Sequence, residues 1–285
     1  MAGHYFLAGS LVVLVTLLLV FGVSDIGDED ALARYQQGVP LRVGYALEPP
    51  FAMIDDEGRV TGEAPEVLRH LLRELGDGPV VWIHVPFADL IHELESGRID
   101  IIASGFFVTP ERAERVLFTQ PKAWLKPGLL VSGDNPLGLF TLHDIAAQPS
   151  ARLAVLAGAV EYDAALRAGI PTNRILSLPD VSSAIAALLT GRVDSLALSV
   201  LSLERATEAL GSAVQIIALE RGAGIDAELP LGQPAFAVRH ADRRLRDALD
   251  QALADLVGTD EHLALVQPFG FTKPNLIPPS GDQRR

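Results

Sequence analysis

The sequence predicts an α/β fold, on two observations. Apolar strand-like runs alternate with segments of helical spacing, and one helix–turn–strand unit occurs twice. Leu41–Tyr45 reads as a strand. Glu63–Leu75 carries Val67, Leu68, Leu71, Leu72 and Leu75 at the spacing of one helix face. Val80–Val85 reads as a second strand, Leu90, Ile91 and Leu94 mark a helix, and Ile99–Ala103 is a buried strand. Such alternation is the mark of α/β units with parallel sheets.

The repeated unit is Leu94-Glu-Ser-Gly97-Arg-Ile-Asp100-Ile-Ile-Ala, matched by Leu188-Leu-Thr-Gly191-Arg-Val-Asp194-Ser-Leu-Ala about ninety residues later. Each glycine can take the left-handed conformation that ends a helix, and each aspartate then opens an apolar strand. Two similar lobes would produce this pattern. Reuse of a common turn would as well.

The N-terminal run Tyr5–Val23 has no formal charge and approaches the length that spans a bilayer. No Lys or Arg precedes it, so the positive-inside rule gives no orientation, and an A-x-A-like cleavage site is missing. The run is read as a signal peptide or an uncleaved membrane anchor over residues 1–24, with a buried core helix as the third reading. Either of the first two exports the rest of the chain, which begins with a linker over residues 25–38.

Composition narrows the function. The net charge is −13 over 285 residues, which disfavours a nucleic-acid partner. The absence of cysteine removes disulfides, thiol catalysis and a lipid-modified cysteine anchor. The chain lacks G-x-S-x-G, H-E-x-x-H, a phosphate-binding loop and G-x-G-x-x-G. Its seven histidines show no metal-ligand spacing, and His240 and His262 read as solvated. No cofactor or metal is expected.

The run Ser104-Gly-Phe-Phe-Val-Thr109-Pro-Glu-Arg112-Ala-Glu-Arg115-Val-Leu-Phe118-Thr-Gln-Pro121 resembles the family 3 extracellular solute-binding proteins. So do Arg42–Phe51 with Gly58–Gly62, the Gly191-Arg-Val-Asp194 turn, and Pro234–Arg239 with the amphipathic helix after it. The resemblance covers roughly residues 40–276. It implies a two-lobed periplasmic-binding-protein fold of type II. Lobe 1 would be residues 39–131 plus 237–285 and lobe 2 residues 132–236, with hinge strands near Leu129–Ser132 and Ala235–Val238. It also implies a ligand buried by hinge closure, and an ABC permease and ATPase as partners.

Residue chemistry places Arg112 at a helix start behind the Thr109 N-cap, where a guanidinium can take a carboxylate bidentately. Amino-acid binders of the family place an aspartate for the α-ammonium five residues after the G-R-x-D motif. That position is Ser199 here, so ordinary α-amino acids are disfavoured. Thr61–Glu66, Ala197–Leu203 and Pro268–Phe271 through Asn275-Leu are similar to ectoine/hydroxyectoine-binding proteins. That similarity implies Glu48, Phe51, Phe87 and Phe107 around the solute's cation, with Arg112 on its carboxylate. Expected, then, is a periplasmic or extracellular component of an importer for a small zwitterionic solute. Three alternatives stay open: a polar amino-acid binder, a cyclohexadienyl-dehydratase-like enzyme with Glu48 or Glu161 as its acid, and a sensory module.

Overall fold

The computed structural model describes residues 30–219 and 232–278. Within them the α/β alternation resolves into two five-stranded sheets and a small hairpin. The first sheet has the order β4-β1-β5-β12-β6, built from β1 (Leu41–Tyr45), β4 (Val80–His84), β5 (Ile101–Ile102), β6 (Leu117–Phe118) and β12 (Ala237–Val238). The hairpin joins β2 (Met53–Ile54) and β3 (Val60–Thr61). The second sheet has the order β11-β7-β10-β8-β9, from β7 (Pro127–Ser132), β8 (Leu153–Leu156), β9 (Ile175–Leu178), β10 (Ser195–Ser199) and β11 (Val214–Ala218).

Helices α1 (Ala31–Gln36), α2 (Glu63–Leu75), α3 (Leu90–Glu95), α4 (Pro110–Ala113), α9 (Arg243–Leu256) and α10 (Asp260–Val266) accompany the first sheet. Helices α5 (Leu142–Ala147), α6 (Val160–Arg167), α7 (Val181–Leu189) and α8 (Val200–Thr207) accompany the second. The periodicity of α2 is realised as predicted. Val67, Leu68, Leu71 and Leu72 are buried against α9 and the first sheet, and the helix stops at Gly76.

The repeated motif is a structural repeat. Gly97 and Gly191 both adopt left-handed φ, +71° and +68°. Asp100 accepts from the Arg42 backbone N–H at 2.9 Å, and Asp194 accepts from the Arg152 N–H at 2.8 Å. Each aspartate thus ties the start of β5 or β10 to its parallel neighbour, β1 or β8. The first copy is the more heavily bonded, because Arg34, Arg42 and Arg239 all converge on Asp100. Burial alone would raise that carboxyl, but the bonds from Arg42 and Arg239 bring it down to about 2.

Several expectations need correction. The sheets are mixed: β1, β4 and β5 run parallel, as do β10, β8 and β9, whereas β12 and β7 are antiparallel to their neighbours. All of β7 pairs with β10 and β11, so residues 127–131 belong to the second sheet and not to lobe 1. Just before β7, Leu125 and Gly232 exchange backbone bonds of 2.9 and 2.8 Å. Of the predicted linker 25–38, the described residues 30–38 are not a simple linker. Within them α1 buries Ala31, Leu32 and Tyr35 in the first lobe, and the Asp242 carboxylate accepts from the Ala31 N–H at 2.8 Å. His262 is buried rather than solvated, and burial followed by the Lys122 charge lowers its pKa to about 4. The predicted segment 1–24 lies outside the described residues. Among the described residues no helix is long and apolar enough to cross a membrane.

Candidate functional site

The site forms where the loop after β5 meets the start of α6. Gly105 lets the Phe51 ring and the Glu48 carboxyl crowd against the backbone. A Cβ placed there would lie 2.5 Å from the Phe51 ring and 2.9 Å from Glu48 Oε2. Glu48 follows β1 and is 5% exposed. Its Oε1 accepts from the Ser202 hydroxyl at 3.3 Å, while Oε2 has no partner among the described residues. Burial, reinforced by Glu161, pushes the Glu48 carboxyl up to about 8 against the pull of Ser202, Arg112 and Lys122.

Arg112 stands on the short helix α4, whose N-cap Thr109 accepts from the Arg112 N–H at 3.2 Å. Its guanidinium lies over the Phe106 ring at 4.1 Å and near Phe87 at 5.7 Å. Nη1 donates to the Phe107 carbonyl at 2.7 Å and Nη2 to the Gly158 carbonyl at 2.9 Å. Burial lowers its pKa to about 10, opposed by Glu161 and Glu48, so it stays cationic at neutral pH.

The second lobe contributes Glu161, in the first turn of α6 and 3% exposed. Burial raises its carboxyl to about 7, although its own backbone N–H and Arg112 pull it down. One small cavity is lined by Glu48, Phe87, Phe107 and Arg112 from the first lobe and by Ala159 and Glu161 from the second. It can therefore oppose a guanidinium to carboxylates within walls of aromatic rings.

Of the predicted residues, Glu48, Phe87, Phe107 and Arg112 come together on this cavity. Phe51 and Ser199 do not line it. Phe51 is fully buried and packs edge-on against Phe107 and Phe271, with centroids 6.4 and 5.9 Å apart, so it backs the wall. Ser199 caps α8 by accepting from the Ser202 N–H at 3.1 Å and donates to the Ser202 hydroxyl at 2.9 Å. It reaches Glu48 only through Ser202.

Sequence reasoning missed three participants. Phe106 stacks on Phe118 at 5.7 Å and seats the guanidinium. Ser202 lies inside the Ala197–Leu203 motif, which gives it no role of its own. Glu161 enters the sequence reading only as the acid of an enzyme. Its signal was present, since Gly158-Ala-Val-Glu161 puts an acid in the first turn of a helix directly after an apolar strand.

Residues 41–272 match a profile of the bacterial extracellular solute-binding proteins, family 3. The chain belongs to this family. A probable amino-acid ABC transporter periplasmic-binding protein of Sinorhizobium fredii is 27% identical over 266 residues, covering 93% of this chain and 88% of its own. A probable histidine-binding protein of Campylobacter jejuni is 28% identical over 192 residues, covering 67% and 72%. Among solved structures, EhuB in complex with hydroxyectoine superimposes with a TM-score of 0.78 at 33% identity, covering 86% of this chain and 94% of that one. Family 3 proteins and these relatives are solute-binding components of transport, not enzymes, and the family is extracytoplasmic.

Proposed function

We propose that this solute-binding protein captures a compact zwitterion with a delocalised cation, ectoine-like, and delivers it to an ABC permease and its ATPase. The observation that carries the reading is one cavity lined together by Arg112, the buried Glu48 carboxyl, Phe87 and Phe107. Arg112 takes the solute's carboxylate. Glu48 supplies the countercharge, and the two rings offer faces worth about 0.5–2 kcal/mol each to a weakly hydrated cation. The 33% identity to a hydroxyectoine complex points the same way.

Closure swings the lobes about the two crossing segments at Leu125–Pro127 and Gly232–Pro234. The apolar N-terminal run either is removed on export or holds the protein at the membrane.

The decisive comparison is calorimetric. The full chain is titrated with ectoine and hydroxyectoine, and with glutamine, arginine, histidine and glutamate. Tighter binding of both ectoines supports the reading. Tighter binding of any of the four amino acids restores an amino-acid-binding protein, in keeping with the curated relatives.

A further inference from the structure

The cavity holds more carboxyl groups than a simple zwitterion site requires. Glu48 comes from the first lobe and Glu161 from the second, and both are almost fully buried on the same cavity as Arg112. Glu48 Oε2 has no partner among the described residues, so a buried acceptor is left to be satisfied by whatever enters. Helix α6 begins at Ala159 without a side-chain cap, which would ordinarily draw an anion to the second lobe. Instead Glu161 stands in the first turn of that helix, buried on the cavity. The second lobe therefore presents an acid, and Arg112 is the cationic wall left for a ligand's carboxylate.

We propose that Glu161 is a second ligand-binding acid, and that Glu48 and Glu161 together clamp an N–H-bearing cation of the N–C–N type from opposite lobes. This rests on the reading of the cavity as a solute site and narrows its ligand class. An amidinium directs its N–H groups to two sides while spreading one positive charge between them. Each carboxylate receives a charge-assisted hydrogen bond, and the acceptor left open on Glu48 is filled. A quaternary ammonium has no N–H to give and leaves both acids unsatisfied. Without a cation, burial sets each acid in conflict with its ionised form, raising Glu161 to about 7 and Glu48, which the Glu161 charge raises further, to about 8. The arriving cation relieves that conflict only once both lobes have closed on it.

The test titrates the full chain with ectoine, a cyclic amidinium carboxylate, and with glycine betaine, a quaternary ammonium carboxylate. Wild type is expected to bind ectoine at least about tenfold more tightly than glycine betaine. Glu161→Gln is expected to lose about tenfold or more in ectoine affinity, with an unliganded Tm unchanged or raised. Equal affinity for the two solutes overturns the proposal without any variant being needed. So does a well-folded Glu161→Gln or Glu161→Ala that binds ectoine within about threefold of wild type. If wild type prefers an amino acid to both solutes, the underlying reading of the site fails and takes this one with it.

Discussion

The Arg112 guanidinium of the first lobe donates to the Gly158 carbonyl of the second at 2.9 Å. The carbonyl belongs to a residue with φ of +80°, and a Cβ there would stand 2.8 Å from the Ala88 Cα of the opposite lobe. The lobes thus meet at a point where only glycine is comfortable, next to the cavity.

Gly158→Val should hold the lobes apart, because a branched side chain fits neither the left-handed backbone nor the gap at Ala88. The wild-type chain should contract in solution scattering when ectoine is added, and the variant should not. Superimposable wild-type curves with and without saturating ligand would remove the hinge mechanism.

Arg112→Ala should abolish solute binding. A charge-assisted contact buried on closure is worth roughly 2–5 kcal/mol of affinity. The fold should lose less than affinity, because the Phe106 and Phe118 rings still stack without the guanidinium. Calorimetry with thermal melting on the same samples separates the two effects. Binding within about threefold of wild type would clear Arg112 of any ligand role.

Phe106→Ala and Phe107→Ala should part company. Phe106 is buried under the guanidinium and packed on Phe87 and Phe118, so its removal should cost about 3–5 kcal/mol of stability. Phe107 lines the cavity and is only partly buried, so its removal should lower affinity with a modest fall in Tm. Denaturant melts beside ligand titrations would reveal the split. Equal stability losses would make Phe107 a core residue.

The unliganded chain should become less stable as pH rises from about 6.5 to 8.5. The Glu48 and Glu161 carboxyls are raised by burial to about 8 and about 7, above their values in an unfolded chain. The folded state therefore binds more protons across that window, and the slope of unfolding free energy with pH is negative. The buried His262, lowered to about 4, acts the other way but only below its unfolded value near 6.5. Cation binding should release protons in the same window, which calorimetry in buffers of different ionisation heat would detect. Glu48→Gln should flatten the pH profile of the melting temperature, and an unchanged slope would contradict the assignment.

Lys122→Met should destabilise strongly, by about 3–5 kcal/mol, because it strands the Glu63 carboxylate. The two side chains form a 2.5 Å ion pair with no exposed surface, and the ammonium lies 5.3 Å from the Phe236 ring centroid. Adding Glu63→Leu should recover much of the loss. Chemical denaturation of the single and double variants measures the coupling, and a single variant as stable as wild type would show that the pair matters little.

What was legible in the sequence is what local chemistry dictates. The helix spacing of Glu63–Leu75 set α2, the paired glycine–aspartate turns announced two lobes, and Thr109 before Arg112 marked a helix start with a cation on it. The cavity-lining set Glu48, Phe87, Phe107 and Arg112 followed from motif positions, through family resemblance. Tertiary structure decided the rest. The bounds of β7 depend on pairing with β10 and β11, which no local pattern encodes. Whether a phenylalanine faces ligand or core turns on what stands behind it. Phe51 was consigned to the core by Gly105 and Phe271, distant in the chain, and Phe106 was placed beneath the guanidinium by Phe87 and Phe118. Ser199 looked like a ligand position, yet capping α8 consumed its hydroxyl. Glu161 became part of the site only when the second lobe closed on the first, since burial and the field of Glu48 and Arg112 are properties of an assembled cavity and not of a sequence.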